Sequence, residues 1–381
     1  GAGGVGETGP VTATTGAVPA AVRDLTLEVT GAPSPGYTLL VPVRFDSDTD
    51  NGFLLAFDSA GTLCWYREFD GLGWAVEAKQ LETGNFSVYL GRSYGWAPAY
   101  GRYAEVTPEG VEVQDFRVDQ PWFTDPHEML LSGGGPAPGA VHLIGYGIRT
   151  VDLSAYGGPV AARLAMHFIE RQGPTGAVEF LWQAADHYTP DDWPSPATQA
   201  SLASDLVHPS SLAIDRDGNY VLSLQAMDEI AKIDAHTGAF VWRLGGRHNQ
   251  FRFEQDPLAG FQGQHNVQVL EDGHLLLLDN RVRSEPAPAR AAEYALDTGA
   301  MTATLVWEYQ PNPAVISPIM GSVQRLASGH TVVGFGYAGR VDEADAGGAP
   351  VAQASLRDSG GASVQFYRAL RIASLYRYQR P

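Results

Sequence analysis

Short apolar segments joined by Asp-Gly, Thr-Gly or Ser-Gly turns recur along most of this chain. Two apolar runs flanking such a turn are the strongest local signal of a β-hairpin. Hairpins of one kind lead into an aromatic strand, as in Phe53–Tyr66, Ile233–Trp242 and Leu296–Trp307. Hairpins of a second kind carry Asn or His directly after the turn glycine, as in Gln80–Asn85, Ile214–Asn219, Val269–His274 and Arg325–His330. The two kinds alternate, which predicts sheets built from pairs of hairpins.

Repetition of this unit predicts an all-β protein, a six-bladed β-propeller with four-stranded blades. The units recur at the spacing of ~40–50 residues that is typical of propeller blades. The C-terminal segment 366–376 has strand character and is expected to close the ring. Residues 1–23 are predicted to be a flexible tether, and residues 24–381 a single propeller domain. We expect the Pro-rich insertion 184–205 to be a loop over one face, and residues 341–362 to be mobile.

The composition argues against several kinds of partner. Asp and Glu number 43 against 25 Lys and Arg, a net charge of -18, so no nucleic acid is expected. No segment approaches the ~18 apolar residues of a membrane span. The single cysteine, Cys64, excludes an intrachain disulfide and is expected to be packed in a strand. The tether is typical of an exported protein, whether periplasmic, secreted or lipid-anchored, and the pattern carries no signal for an oligomeric state.

Histidines lie at the start of three successive hairpins of the second kind, at His127, His208 and His265. A hairpin brings its two ends together, so these ends should gather at one end of the central channel. Three histidines in register there predict a functional site. His167 has no such placement and is expected to be structural or solvated. The residues predicted to surround the three histidines and bind substrate are Gln225, Arg281, Asn280, Arg92, Tyr146 and Tyr337.

Such a cluster is compatible with three kinds of function. The histidines can act as a nucleophile and as general acid–base groups. Alternatively, His127, His208 and His265 can hold a divalent metal ion with open positions for hydrolysis, elimination or oxidation of an aromatic or anionic substrate. A third possibility is a non-catalytic propeller that binds a partner or a glycan. No phosphate-binding loop and no Gly-x-Ser-x-Gly elbow occurs in the sequence.

The chain resembles the arylsulfotransferase family, the nucleotide-independent aryl sulfate sulfotransferases with a six-bladed propeller fold. The resemblance spans roughly residues 35–336 and is specific as a set of short elements. These elements are Pro35-Gly-Tyr37, Asp125-Pro-His127-Glu128, His208-Pro-Ser-Ser211, Trp242-Arg-Leu-Gly-Gly246, Gln264-His265 and Asp279-Asn280.

In that family, a histidine at the position of His265 attacks the sulfur of a phenolic sulfate and forms a sulfohistidine, which a second phenol discharges. The resemblance therefore implies a ping-pong transferase without a cofactor, acting on phenolic or other small anionic substrates. It also implies that His127 and His208 donate to the sulfuryl oxygens and manage the phenol proton. One position departs from the family, because its sulfate-contacting arginine is replaced by the uncharged Gln225. Arg281 and Arg92 are the candidates to compensate.

Overall fold

The computed structural model describes residues 18–43, 52–69, 74–91, 101–132, 139–202, 204–282 and 287–378. The strands of the first half are β1 (Thr26–Gly31), β2 (Tyr37–Val43), β3 (Gly52–Phe57), β4 (Leu63–Phe69), β5 (Trp74–Gln80), β6 (Phe86–Gly91), β7 (Arg102–Val106), β8 (Glu112–Phe116), β9 (Phe123–Leu131), β10 (Val141–Val151), β11 (Ala162–Gln172) and β12 (Val178–Gln183). Those of the second half are β13 (Pro209–Ile214), β14 (Tyr220–Leu224), β15 (Glu229–Ile233), β16 (Phe240–Gly245), β17 (Arg252–Glu254), β18 (His265–Val269), β19 (Leu275–Asp279), β20 (Arg290–Asp297), β21 (Thr302–Tyr309), β22 (Ser322–Arg325), β23 (Thr331–Phe335), β24 (Arg340–Ala344), β25 (Pro350–Arg357) and β26 (Gln365–Ile372).

Helical structure is limited to short segments. The α-helices are α1 (Ala20–Arg23) and α2 (Pro196–Leu202), and single 3-10 turns occupy Ser154–Tyr156, Ala184–Asp186, Pro190–Asp192, Gln225–Met227 and Gly336–Ala338. None of the helices in the described ranges has the length and apolarity that a bilayer crossing requires.

Six sheets, antiparallel except where β17 pairs with β21, form the six blades of a β-propeller, which confirms the predicted fold. Blade 1 is β26-β2-β3-β4, and blades 2, 3 and 4 are β5–β8, β9–β12 and β13–β16. Blade 5 is β18–β21 with β17 added at its edge, and blade 6 is β22–β25 with β1 added. The innermost strands β26, β5, β9, β13, β18 and β22 contact one another in that order and close the ring.

The C-terminal strand β26 completes blade 1 by pairing with β2, with Leu39 opposite Leu370. This pairing confirms that the C-terminal segment closes the ring. At the other end of the chain, α1 lies within the segment predicted as a tether, and its Val22 is buried beside Leu25 and Leu27. Residues 1–17 lie outside the described ranges, so the tether, the domain boundary and export remain predictions.

The same turn closes the four hairpins of the second kind and the hairpin Phe53–Tyr66 of the first kind. In the turn from β13 to β14, Asp215 N donates to Asn219 O at 2.8 Å, and Gly218 N donates to Asp215 O at 2.9 Å. Gly218 has a φ of 81°, in the left-handed region that favours glycine. Equivalent bonds close the turns at 58–62, 81–85, 270–274 and 326–330. The recurrent glycines of the sequence therefore fix the turns that separate the strands.

Three local predictions differ from the structure. Residues 341–362 are not a mobile segment, because β25 pairs with β24 on one edge and with β1 on the other. The insertion 184–205 is partly helical, and its Trp193 is fully buried and donates from Nε1 to Leu206 O at 2.7 Å. Cys64 is exposed: it lies on β4, the outermost strand of blade 1, whose side chains are mostly only partly buried.

Polar side chains of the inner strands join adjacent blades around the channel. Ser211 Oγ accepts from Val267 N at 2.8 Å, joining blade 4 to blade 5. Ser322 Oγ accepts from Ala369 N at 3.1 Å, joining blade 6 to blade 1. The spaces between neighbouring blades are filled by six apolar clusters of buried residues. The inner strands are therefore held rigidly, and they carry the predicted site.

Candidate active site

His127, His208 and His265 lie on or next to the inner strands of blades 3, 4 and 5, at irregular points of the strands. The register shifts along β9, between Pro209 and Ser211 in β13, and directly after His265 in β18. His208 itself has a φ of 45°. Bulges of this kind redirect side chains next to functional sites. The rings of His127 and His208 meet edge to face with their centroids 4.8 Å apart.

His265 is held in one orientation and one tautomer. Its Nδ1 lies 2.9 Å from Asn280 Oδ1 and 3.2 Å from Gly263 O. The amide of Asn280 donates to the carbonyls of Ser317 and Met320, at 2.5 and 3.1 Å, so its oxygen faces His265. Both neighbours of Nδ1 are therefore acceptors, which places the proton on Nδ1 and the lone pair of the neutral ring on Nε2.

The environment also keeps His265 neutral. The ring is 3% exposed, and burial lowers its pKa to about 3, with His127 and His208 adding to the effect. The hydrogen bond to Asn280 acts in the opposite direction but is weaker. At neutral pH, His265 therefore presents an unprotonated nitrogen in the channel, as a nucleophile requires.

His127 is part of a chain of three side chains. Its Nδ1 donates to Asp125 Oδ1 at 2.6 Å, and the other oxygen of Asp125 accepts from His167 Nε2 at 3.2 Å. Burial opposes the ionisation of Asp125, but the two histidines outweigh it and hold its pKa well below the usual range. Burial also lowers the pKa of His127, although Asp125 opposes that change. His167, which was expected to be structural or solvated, is buried and shares the carboxylate of Asp125 with His127.

His208 has a carboxylate partner that the sequence did not reveal. Its Nδ1 bonds to Asp205 at the end of the insertion 184–205, and the side chain of His208 is 27% exposed. Burial raises the pKa of Asp205, but His208 outweighs that effect and the pKa is lowered overall. Asp205 also bridges to Ala165 of β11, which ties the insertion to blade 3. A carboxylate at Nδ1 stabilises the imidazolium form of His208.

Two of the predicted binding residues lie close to the histidines. The ring of Tyr146 is half-buried, with its centroid 5.6 Å from that of His167. Burial and then the charges of Asp125 and Asp205 raise the pKa of Tyr146. Gln225 lies near the start of the strand that carries His265. Its Nε2 would be 3.5 Å from the Cβ of an alanine substituted for Gly263.

The other predicted binding residues are placed differently. Asn280 orients His265 and does not point an unbonded amide into the channel. Arg281 has a φ of 54°, its backbone N donates to Gln262 O at 2.9 Å, and its charge acts on Asp279. Tyr337 is 43% exposed on the 3-10 turn after β23, so it is not packed among the histidines. Arg92 lies outside the described residues.

The metal alternative gains no support from the geometry. Among the described residues, His127, His208 and His265 do not form a group whose ligand atoms all lie within 4.8 Å of one another. A tetrahedral zinc with ligands at about 2.1 Å needs closer nitrogens. In the described ranges, the group that does meet this distance consists of Asp272 and His274, at the turn between β18 and β19, and Glu293 of β20.

That group is better explained as part of the blade architecture. His274 Nδ1 contacts Glu293 at 2.7 Å, and Glu293 also pairs with Arg325. The residue after the turn glycine bonds a third-strand carboxylate in two other blades as well, Asn85 with Glu105 at 2.7 Å and His330 with Glu343 at 2.8 Å. Asn85 is a poor metal ligand, so the shared arrangement serves the turn.

Comparison with known sequences decides the family. The profile of the Arylsulfotransferase (ASST) family matches residues 134–357, more than half of the chain. The protein is a member of the arylsulfotransferase family. The match includes His208 and His265 and begins after His127, so His127 enters the site on geometric grounds. No protein among the curated sequences matches this arylsulfotransferase family member significantly.

Comparison with solved structures supports the fold. A protein of unknown function from Bacteroides caccae is 13% identical, with a TM-score of 0.51 over 88% of this chain and 98% of its own. A streptogramin B lyase is 10% identical, with a TM-score of 0.42 over 90% of this chain and 87% of its own. Virginiamycin B lyase from Staphylococcus aureus is 9% identical, with a TM-score of 0.39 over 86% of this chain and 88% of its own. At these identities the first similarity concerns the fold alone.

Proposed function

We propose that this protein transfers a sulfuryl group from a phenolic sulfate to a phenol through a covalent intermediate on His265. The observation that carries the proposal is the state of that side chain. Asn280 and Gly263 hold its Nδ1–H, burial keeps it neutral, and the lone pair is on Nε2. The covalent histidine carries the group between the two phenols, so the reaction as proposed uses no nucleotide or metal cofactor.

In the first half-reaction, His265 Nε2 attacks the sulfur. The N–S bond forms as the S–O bond to the aryl group breaks, and the electron pair leaves on the phenolate oxygen. His208, whose imidazolium form Asp205 stabilises, donates a proton to that oxygen. We assign to the amide of Gln225, whose Nε2 lies near Gly263, the role of donating to a sulfuryl oxygen.

In the second half-reaction, the oxygen of an acceptor phenol attacks the sulfur of the sulfohistidine. The N–S bond breaks, its electron pair returns to His265 Nε2, and the phenol proton passes to His208, which restores the starting state. His127 is neutral, with Nδ1–H donated to Asp125, so its Nε2 accepts hydrogen bonds. We therefore assign His127 to orienting the acceptor hydroxyl, which differs from the expected donation to a sulfuryl oxygen.

Steady-state kinetics with 4-nitrophenyl sulfate as donor and phenol as acceptor test this proposal. We expect parallel double-reciprocal plots, formation of phenyl sulfate, and no turnover by the His265→Ala variant. His274→Ala is the matched control, since His274 lies on the same hairpin but at the turn. Nitrophenol release that yields inorganic sulfate and does not depend on phenol would identify a hydrolase instead. Absence of turnover by the folded wild-type protein with a range of aryl sulfates would also contradict the proposal.

A further inference from the structure

A buried ion network lies in the channel next to the histidines, and the reaction steps above do not use it. Arg368 of the ring-closing strand donates from Nη1 to Glu128 Oε2 at 2.9 Å and to Glu77 Oε1 at 3.2 Å. Lys79 pairs with Glu128 and lies 3.6 Å from Glu77 Oε1. Arg368 is 5% exposed and Glu77 is fully buried, so solvent screens these charges little.

Arg368 also contacts the histidine site directly. Its Nη2 donates to the backbone oxygens of His127 at 2.8 Å and Ser210 at 3.4 Å, and so joins blades 3 and 4. Its Cζ lies 5.3 Å from the ring centroid of Tyr367, and that ring meets the ring of His127 at 6.0 Å. Tyr367 therefore contacts both the guanidinium and the His127 ring.

The network sets the two cations of Arg368 and Lys79 against the carboxyl groups of Glu77 and Glu128. Burial raises the pKa of Glu77, which favours its neutral form. For Glu128, burial acts in the same direction, but Arg368 and Lys79 outweigh it and lower the pKa. Glu128 is thus the carboxylate that the two cations stabilise more strongly. Within the described part of the chain, Arg368 Nε and Tyr367 Oη are buried donors without a hydrogen-bond partner.

We propose that Arg368 is the positioning residue that supplies this site with its fixed positive charge, in place of the family arginine that Gln225 replaces. The inference rests on the proposed sulfuryl transfer. An aryl sulfate and the transition state of its transfer are both anionic, and a cation fixed in a buried site stabilises them without reorganisation. Because Arg368 also holds the carbonyl of His127, it fixes the side of the channel on which the acceptor phenol is oriented.

Two measurements on matched variants test this inference. The first is the single-turnover rate of nitrophenol release from 4-nitrophenyl sulfate without an acceptor. The second is the affinity for 4-nitrobenzenesulfonate, an unreactive anionic analogue, by calorimetry. We expect Arg368→Gln to slow release by about 100-fold and to weaken sulfonate binding by about 10-fold. Arg368→Lys keeps the charge and should restore both to within about 10-fold and 3-fold of wild type.

Arg371→Gln is the control, because Arg371 is a buried arginine on the same strand that pairs with Glu343 at 3.5 Å. It should change neither measurement by more than about 2-fold, as expected for a site without contact to the histidines. If Arg368→Gln does not fold, Lys79→Met removes the other cation while leaving the carbonyl contacts of Arg368 intact. That variant should reduce both quantities by a smaller factor, and no reduction would overturn the inference.

The outcomes separate this inference from the proposed function. Sulfonate binding that depends on Arg368, in a wild-type protein that releases no nitrophenol, would reject the transferase and retain the fixed charge. Normal binding and release in a folded Arg368→Gln variant would reject the fixed charge alone. Equal losses in Arg368→Lys and Arg368→Gln would show that the shape of the guanidinium matters and its charge does not, which also contradicts the inference.

Discussion

The hairpin β18–β19 carries two histidines whose environments differ sharply, His265 at the channel end and His274 at the turn. His265 is 3% exposed and bonds the neutral amide of Asn280, whereas the side chain of His274 is 29% exposed and contacts the carboxylate of Glu293. The amide of Asn280 fixes the tautomer of His265, and burial outweighs its effect on the pKa and keeps the ring neutral. The position along the strand, and the partner found there, distinguish the proposed nucleophile from a histidine that stabilises a turn.

The largest expected effect is the loss of transfer when the channel histidine is removed. His265→Ala should reduce the rate of phenol release by at least about 1000-fold, because no other group can form the covalent intermediate. His274→Ala should leave the rate unchanged and cost about 0.2–1 kcal/mol of stability, as for a partly exposed ion pair. Single-turnover kinetics and chemical denaturation measure the two quantities. Comparable losses of activity in both variants would contradict the distinction between the two ends of the hairpin.

Replacement of the carboxylate behind His208 should have the next largest effect. Asp205→Asn removes the charge that stabilises the imidazolium and permits the wrong tautomer, so phenol release should fall by about 100-fold or more. The loss should be greater for phenyl sulfate than for 4-nitrophenyl sulfate, since the poorer leaving group depends more on protonation. Asp192→Asn is the control, because Asp192 lies on the same insertion and pairs with the exposed His248 at 2.6 Å. An equal effect of both substitutions would indicate a general disturbance of the insertion.

The pH dependence of the first half-reaction distinguishes a buried nucleophile at His265 from an ordinary exposed histidine. Only the neutral ring attacks sulfur, and His265 with a pKa of about 3 stays neutral down to that pH. An unperturbed histidine with a pKa of about 6.5 would lose about 30-fold in rate between pH 8 and pH 5. We expect no such loss for nitrophenol release, measured under single-turnover conditions. A half-maximal rate near pH 6.5 on the acid side would show that the nucleophile is an ordinary exposed histidine.

His265 also affects the free energy of unfolding, between about pH 3 and about pH 6.5. The unfolded state binds a proton at His265 below about pH 6.5, whereas the native state resists it until about pH 3. The free energy of unfolding should therefore decrease as the pH falls through this window. His265→Gln, which does not titrate, should have a shallower decrease in urea titrations across the window. An unchanged slope would mean that His265 accepts a proton in the native state.

The smallest expected effect is a gain from restoring the family residue. Gln225→Arg should tighten the binding of 4-nitrobenzenesulfonate by about 10-fold, because a charge-assisted pair is stronger than a neutral hydrogen bond. Gln225→Met, which has a similar length and no donor, is the comparison variant and should weaken binding. No gain from the arginine would indicate that the existing cations of the channel already satisfy the sulfonate.

The fold followed from the sequence because its signals are local. A turn glycine with its flanking apolar segments specifies each hairpin, and Gly218 at a φ of 81° shows the physical reason. His208, directly before β13, and His265, the first residue of β18, were equally accessible, since a hairpin joins its own two ends. Cys64 was misjudged because the sequence of β4 does not show that this strand lies at the edge of its sheet.

The partners of the histidines could not be found in the same way. His167 and Asp125 are 42 residues apart and meet only because β11 lies near β9 in one blade. Arg368 and His127 are 241 residues apart and meet because the last strand completes the first blade. Asp205 lies three residues before His208, but its contact depends on how the insertion folds back on Ala165. Such contacts are set by the closure of the ring, which no local pattern encodes.

Intact-mass analysis of the wild-type protein after brief incubation with 4-nitrophenyl sulfate, without an acceptor, tests the central claim most directly. We expect one added sulfuryl group per chain, mapped to His265, absent from His265→Ala and lost when phenol is added. The assay should be stopped at alkaline pH, since the N–S bond of sulfohistidine is expected to be labile in acid, as the N–P bond of phosphohistidine is. An adduct on another residue, or nitrophenol release with no adduct at any time, would contradict the assignment of His265 as the nucleophile.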